Sequence, residues 1–136
     1  MFTLERPKDT PLVLIPTSEI LNEIVSYLTD STSCCFLSPN SQITESLRER
    51  GFQEVIEFCQ DDKCLLLDDH FSKVIVFESH IMNTCETMRI IKNSTCAPVI
   101  IITSPAPHRY PVSLYYSMGA TYVVYTKSRY ISCFLK

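Results

Sequence analysis

The chain has 136 residues, of which 46% are hydrophobic and 20% charged, with a net charge of −3. That length suits one domain with a genuine core and is too short for two ordinary ones. No apolar stretch approaches the roughly 18–20 residues that span a bilayer, no basic run offers a phosphate-binding surface, and two glycines cannot build a phosphate-cradling loop. The expectation is a domain that binds neither membrane nor, by itself, nucleic acid.

The segment Met1 to Lys8 is charged and lacks an apolar secretory core, which predicts a cytoplasmic protein. Seven cysteines, at 34, 35, 59, 64, 85, 96 and 133, form no CxxC pair. An odd count without a leader favours reduced thiols, several of them serving as small hydrophobes. His70, His80 and His108 are scattered, with no Cys or acid at metal-ligand spacing. No metal or other cofactor is implied.

Residues 1–10 read as a loose N-terminal arm, and 11–136 as a single domain. Pro11 to Ile15 is a short continuous apolar run, the mark of a strand covered on both faces. Thr17 is placed to cap a helix carrying Ile20, Leu21, Ile24, Val25 and Leu28 on one face. Ser33 to Leu37 predicts a second strand, and Ser41 to Arg50 a short helix stopped by Gly51. Glu54 to Cys59 predicts a third strand, followed by a weak helix or turn over 61–69, where the acid pairs Asp61–Asp62 and Asp68–Asp69 flank a polar bend.

Lys73 to Phe77 is a further strand, and the helix from His80 to Asn93 places Ile81, Cys85, Met88 and Ile91 at helical spacing. Pro98 to Thr103 carries the strongest strand signal. Pro105 and Pro107 force an extended loop. A helix from Tyr110 to Met118, with Pro111 in its first turn, ends at Gly119. Tyr122 to Tyr125 forms the last strand, with a stub of helix beyond Ser128. Apolar strands alternating with helices predict an α/β domain, three-layer α/β/α, around a mostly parallel sheet of five or six strands.

From Lys73 onward the order of residues resembles the receiver domain of response regulators in two-component signalling. Val74 to Phe77 ends in Glu78, where the family has its phosphoacceptor aspartate. The next strand ends in Thr103–Ser104, the family's hydroxyl position. Gly119–Ala120 precedes the last strand, and Lys127 follows it. The likeness covers roughly the last 60 residues. It implies a flavodoxin-like, receiver-like sheet with switch positions at Glu78, Thr103, Ser104 and Lys127.

The sequence departs from the family where the phosphoryl chemistry resides. Glu78 replaces aspartate, and the first strand should end in acids that hold Mg²⁺. If that strand is Leu12–Ile15, its tip carries Pro16 and Thr17; if it is Cys34–Leu37, the tip carries Ser38 and Pro39. The turn Gly51–Phe52 into Ile56 favours the later start and makes residues 11–30 an extra unit. The resemblance therefore implies a pseudo-receiver, a non-enzymatic and phosphorylation-independent module in which Glu78 pairs with Lys127 and imitates a phosphorylated aspartate.

Aromatic residues beside the Pro-rich loop mark an interaction surface of Arg109, Tyr110, Tyr115, Tyr116, Tyr122 and Tyr125, for a protein partner or a second copy in a homodimer. A bland reading stands beside it, in which Leu114 and one tyrosine pack on the sheet. Two other functions stay open: a small enzyme or ligand-binding domain on a Rossmann-like sheet, with Ser38, Glu78, Ser79, Thr103 and Ser104 around the strand tips, and a structural subunit of a larger assembly.

Overall fold

The computed structural model describes residues 10–28, 34–59, 61–62, 64–65, 71–104 and 110–126. Among these described residues lie six strands, β1 (Thr10–Leu14), β2 (Cys35–Ser38), β3 (Val55–Glu57), β4 (Phe71–Phe77), β5 (Val99–Thr103) and β6 (Tyr122–Tyr125). Four helices, α1 (Ser18–Ile24), α2 (Ser41–Glu49), α3 (Ile81–Ser94) and α4 (Val112–Ser117), alternate with them, and a 3-10 turn, Val25–Tyr27, extends α1. Every strand pairing is parallel, in the order β3-β2-β1-β4-β5-β6. Among the described residues, no helix is long and apolar enough to cross a membrane.

The apolar runs explain the layering. Side chains alternate between the two faces of a strand, so a run apolar at every position needs cover on both sides. Val13, Ile15, Phe36, Ile75 and Phe77 share one cluster with Ile20, Leu21 and Ile24 of α1 and Ile43 and Leu47 of α2. Leu12, Leu14, Leu37, Val74 and Val76 share the other with Met88, Ile90 and Ile91 of α3 and Tyr115 of α4. The result is a three-layer α/β/α domain. Between β3 and β4, Leu65 packs on the second cluster and its N–H donates to Ser94 Oγ at 2.7 Å.

Local chemistry sets the helix ends. Thr17 Oγ1 accepts the Ile20 N–H at 3.2 Å, and Asn40 Oδ1 accepts that of Ile43 at 2.9 Å, each supplying a partner to an otherwise orphaned donor. Gly51 and Gly119 take φ of 96° and 108°, a region that suits glycine, where the chain leaves α2 and α4. Phe52, just past Gly51, sets its ring edge-on to Phe36 at 5.1 Å. A side chain at Gly119 would also meet the stem of Lys92, whose Cγ lies 2.8 Å from the position of a Cβ.

Three expectations are corrected. Residue 10 belongs to the domain and not to the arm, because Thr10 pairs with Phe71 in the sheet; residues 1–9 lie outside the described residues. The segment 11–30 is no peripheral extra unit. β1 lies between β2 and β4, so the strand neighbouring β4 on that side starts at Thr10 rather than Cys34, and the outermost unit is α2 with β3. Finally, the inward stripe of α3 is the expected one only in part: Met88 and Ile91 are buried and Ile81 packs on the second cluster, but Cys85 is exposed and Thr84, Thr87 and Ile90 are buried in its stead.

Substitutions on α3 test that orientation. Met88→Ala removes a fully buried side chain and lowers unfolding free energy by about 2–5 kcal/mol. Cys85→Ser alters an exposed position and stays within about 0.5 kcal/mol. Urea titrations of the two variants against the parent provide the measurement.

Candidate functional site

Parallel strands carry their C-terminal tips to one edge of the sheet, and the tips of β4 and β5 bring the principal polar cluster together. Phe77 pairs with Ile102, and the Glu78 N–H donates to the Ile102 carbonyl at 2.9 Å, so Glu78 and Thr103 emerge side by side. Thr103 Oγ1 donates to Glu78 Oε1 at 2.5 Å. Tyr115, reaching in from α4, sets its hydroxyl 2.8 Å from both Glu78 carboxylate oxygens. Its single proton serves one of them at a time.

These surroundings differ sharply in exposure. Thr103 is 2% exposed and Tyr115 fully buried, while Glu78 is half-buried. The carboxylate can thus stay hydrated on one side while two hydroxyls hold the other. Such hydrogen bonds to an ionised group are stronger than neutral ones. Burial pushes the Tyr115 phenol above its usual range. The Thr103 hydroxyl beside it opposes that rise, and the hydrogen bond to Glu78 and its negative charge reinforce it. Tyr115 is consequently a neutral donor at neutral pH.

The expected positions divide as follows. Glu78 and Thr103 meet, and Thr103 spends its hydroxyl on the carboxylate instead of on the next turn. Ser104 is half-buried beside them and has an interaction of its own. Lys127 and Arg109 lie outside the described residues.

Tyr115 is a correction, since it belongs to the core and not to a surface. An aromatic ring facing the sheet buries its body and needs a partner for its hydroxyl, which Glu78 supplies. Tyr110 and Tyr125 are half-buried, and the Tyr125 hydroxyl donates to the Tyr110 carbonyl at 2.9 Å. Tyr116 and Tyr122 remain well exposed, at 48% and 60%, next to Val112 at 43%.

A second polar knot ties β2 to β3. Buried Thr44 Oγ1 lies 3.0 Å from each of Ser38 Oγ, the Asn40 carbonyl oxygen and Glu57 Oε1, while Ser38 Oγ donates to that same carbonyl at 2.7 Å. Ser38 is therefore enclosed and absorbed by the turn, away from Glu78. Asp62 accepts the Cys59 N–H at 2.8 Å, which gives that acid a turn-capping role.

Cys34 and Cys35 are buried, and Cys59, Cys64, Cys85 and Cys96 are exposed as free thiols. Burial, with the neighbouring Cys35, pushes the Cys34 thiol up to about 12. It therefore packs as a neutral hydrophobe. Among the described residues, no three His, Cys, Asp or Glu side chains are grouped to hold a metal ion. Comparison with family models, curated proteins and solved structures finds no match to this chain.

Tyr115 makes the cluster measurable. Tyr115→Phe deletes the phenolic donor and costs about 1–2 kcal/mol of unfolding free energy, water replacing part of the lost bond at the half-buried carboxylate. The phenol's folded pKa lies above its unfolded value of about 10, so its contribution is complete below pH about 10. That contribution is lost as pH rises from there through the folded value. Stability–pH curves should fall less steeply above pH about 10 in Tyr115→Phe than in the parent, and absorbance titration at alkaline pH should show one late phenol fewer.

Proposed function

We propose that this domain is a non-catalytic, receiver-like signalling module that acts through protein–protein contact without aspartyl phosphorylation. The observation that carries this reading is the engagement of Glu78 by Thr103 and Tyr115. In a receiver the hydroxyl at the neighbouring strand tip moves when a phosphoryl group arrives. Here that hydroxyl is already committed to a permanent carboxylate.

The residues around the tip agree with this reading. β1 is followed by Pro16 and Thr17, which offer no carboxylate pair to neutralise a transferring phosphoryl group with a hard cation. Within the six-stranded order, β2-β1-β4-β5-β6 matches the receiver order of strands, and β3 with α2 forms the added unit at the edge.

The contact surface follows from exposure. α4 and the start of β6 present Val112, Tyr116 and Tyr122 to solvent. β6 stands at the end of the strand order and, among the described residues, pairs with β5. Exposed tyrosines grouped in this way are suited to binding a protein partner or a second copy.

Two measurements test the proposal. Acetyl phosphate or beryllofluoride with Mg²⁺ should leave the amide NMR spectrum unchanged, and clear shifts at Glu78 and Thr103 would overturn the phosphorylation-independent reading. Light scattering over a range of concentrations should show a mass that rises toward the dimer. The double variant Tyr116→Ser, Tyr122→Ser should weaken that association by tenfold or more, a loss of about 1.4 kcal/mol.

A further inference from the structure

The strand order changes direction between β1 and β4: α1 leaves β1 on one face, and α3 leaves β4 on the other. Diverging connections of this kind open a crevice beyond the strand C-termini, the usual place for a ligand on an open parallel sheet. This crevice is real here, with a volume of about 140 Å³. Its apolar walls include Leu14, Phe58 and Phe77, and its polar lining includes Ser79, Thr84 and Thr87. Glu78 is not part of it. Among the described residues, no charged side chain lines it.

The two threonines mark it as more than a packing gap. Thr84 and Thr87 are 3% and 4% exposed and sit on the inward stripe of α3, where Met88 and Ile91 fill the core one turn later. Among the described residues neither hydroxyl has a protein partner, yet no enclosed polar atom is left unsatisfied. Both hydroxyls therefore open into the crevice. A hydroxyl shut into an apolar core without a partner is costly, and these two avoid that cost by facing a space that a solute can enter.

We propose that the crevice binds a small, uncharged heteroaromatic ring with hydrogen-bonding groups on its edge, of the size of a pyrimidine base or nicotinamide. Size sets the first limit, because a cavity of about 150 Å³ accommodates a single benzene-sized ring. Charge sets the second: an ion would lose its hydration with no counter-charge in the lining. The ring faces meet Leu14, Phe58 and Phe77. The edge meets hydroxyls that both donate and accept, so it carries both kinds of group. The inference is independent of the receiver-like reading, since it uses neither Glu78 nor the α4–β6 surface.

Amide-resolved NMR titration of the full chain tests it with four probes: uracil, nicotinamide, benzene and orotate, which is the uracil ring bearing a carboxylate. The expected result is saturable shifts at Ser79, Thr84 and Thr87 with uracil or nicotinamide, and binding at least tenfold weaker for benzene and orotate. The nearly isosteric pair Thr84→Val, Thr87→Val should weaken the neutral heteroaromatic ring at least tenfold while leaving benzene unchanged or tighter. The proposal is overturned if neither uracil nor nicotinamide saturates these amides, or if benzene or orotate binds as well as they do. The comparison among probes on the parent chain stands even if the double variant fails to fold.

Discussion

Burial of β1 on both faces organises the molecule. Leu12, Val13 and Ile15 are wholly shielded from water and Leu14 nearly so, and their backbone groups find partners in β2 and β4 on either side. A strand enclosed in this way cannot sit at an edge, and its two faces require separate helical layers. Neighbouring Val74 to Phe77 imposes the same demand, so the pair forms the spine on which the other strands align. The tips that carry Glu78 and Thr103 are thus set by the register of apolar residues several positions earlier, as in the pairing of Val76 with Ile101.

Against that rigid background the polar groups fall into separate, locally satisfied sets. Glu78 draws two hydroxyl donors, Thr44 knots β2 to β3, and Thr84 with Thr87 opens the interior toward the β1–β4 crevice. Each set lies toward the C-terminal edge of the sheet. The division suits a domain whose interior is inert and whose chemistry is gathered at one rim.

Much of the architecture is legible in the residues themselves. Continuous apolar runs identify the strands, Thr17 marks a helix start, and Gly51 and Gly119 mark stops. Five or six strands and a mostly parallel three-layer arrangement follow from these signals. Strand order does not, because it depends on pairings between segments far apart in sequence: both Leu12 and Cys35 begin apolar runs, and only tertiary packing places the former against Val74. The inward stripe of α3 is also hard to read. A cysteine looks apolar and a threonine polar, so Cys85 attracts the core assignment that belongs to Thr84 and its neighbours. One residue along a helix turns the side chain by about 100°, enough to exchange buried for exposed. At the candidate site, Glu78 and Thr103 are visible as strand ends, whereas Tyr115 is hidden among several tyrosines. The available clue is that a phenol buried over a sheet needs an acceptor, and a strand-end carboxylate is the nearest kind.

The succession Tyr115–Tyr116 on α4 has a mechanical consequence. These adjacent residues point to opposite environments, one gripping the Glu78 carboxylate and the other projecting into water, on a helix of only six residues. So short a rod has little room to twist within itself. Both rings therefore stand on the same short support, one turned to the sheet and the other to solvent.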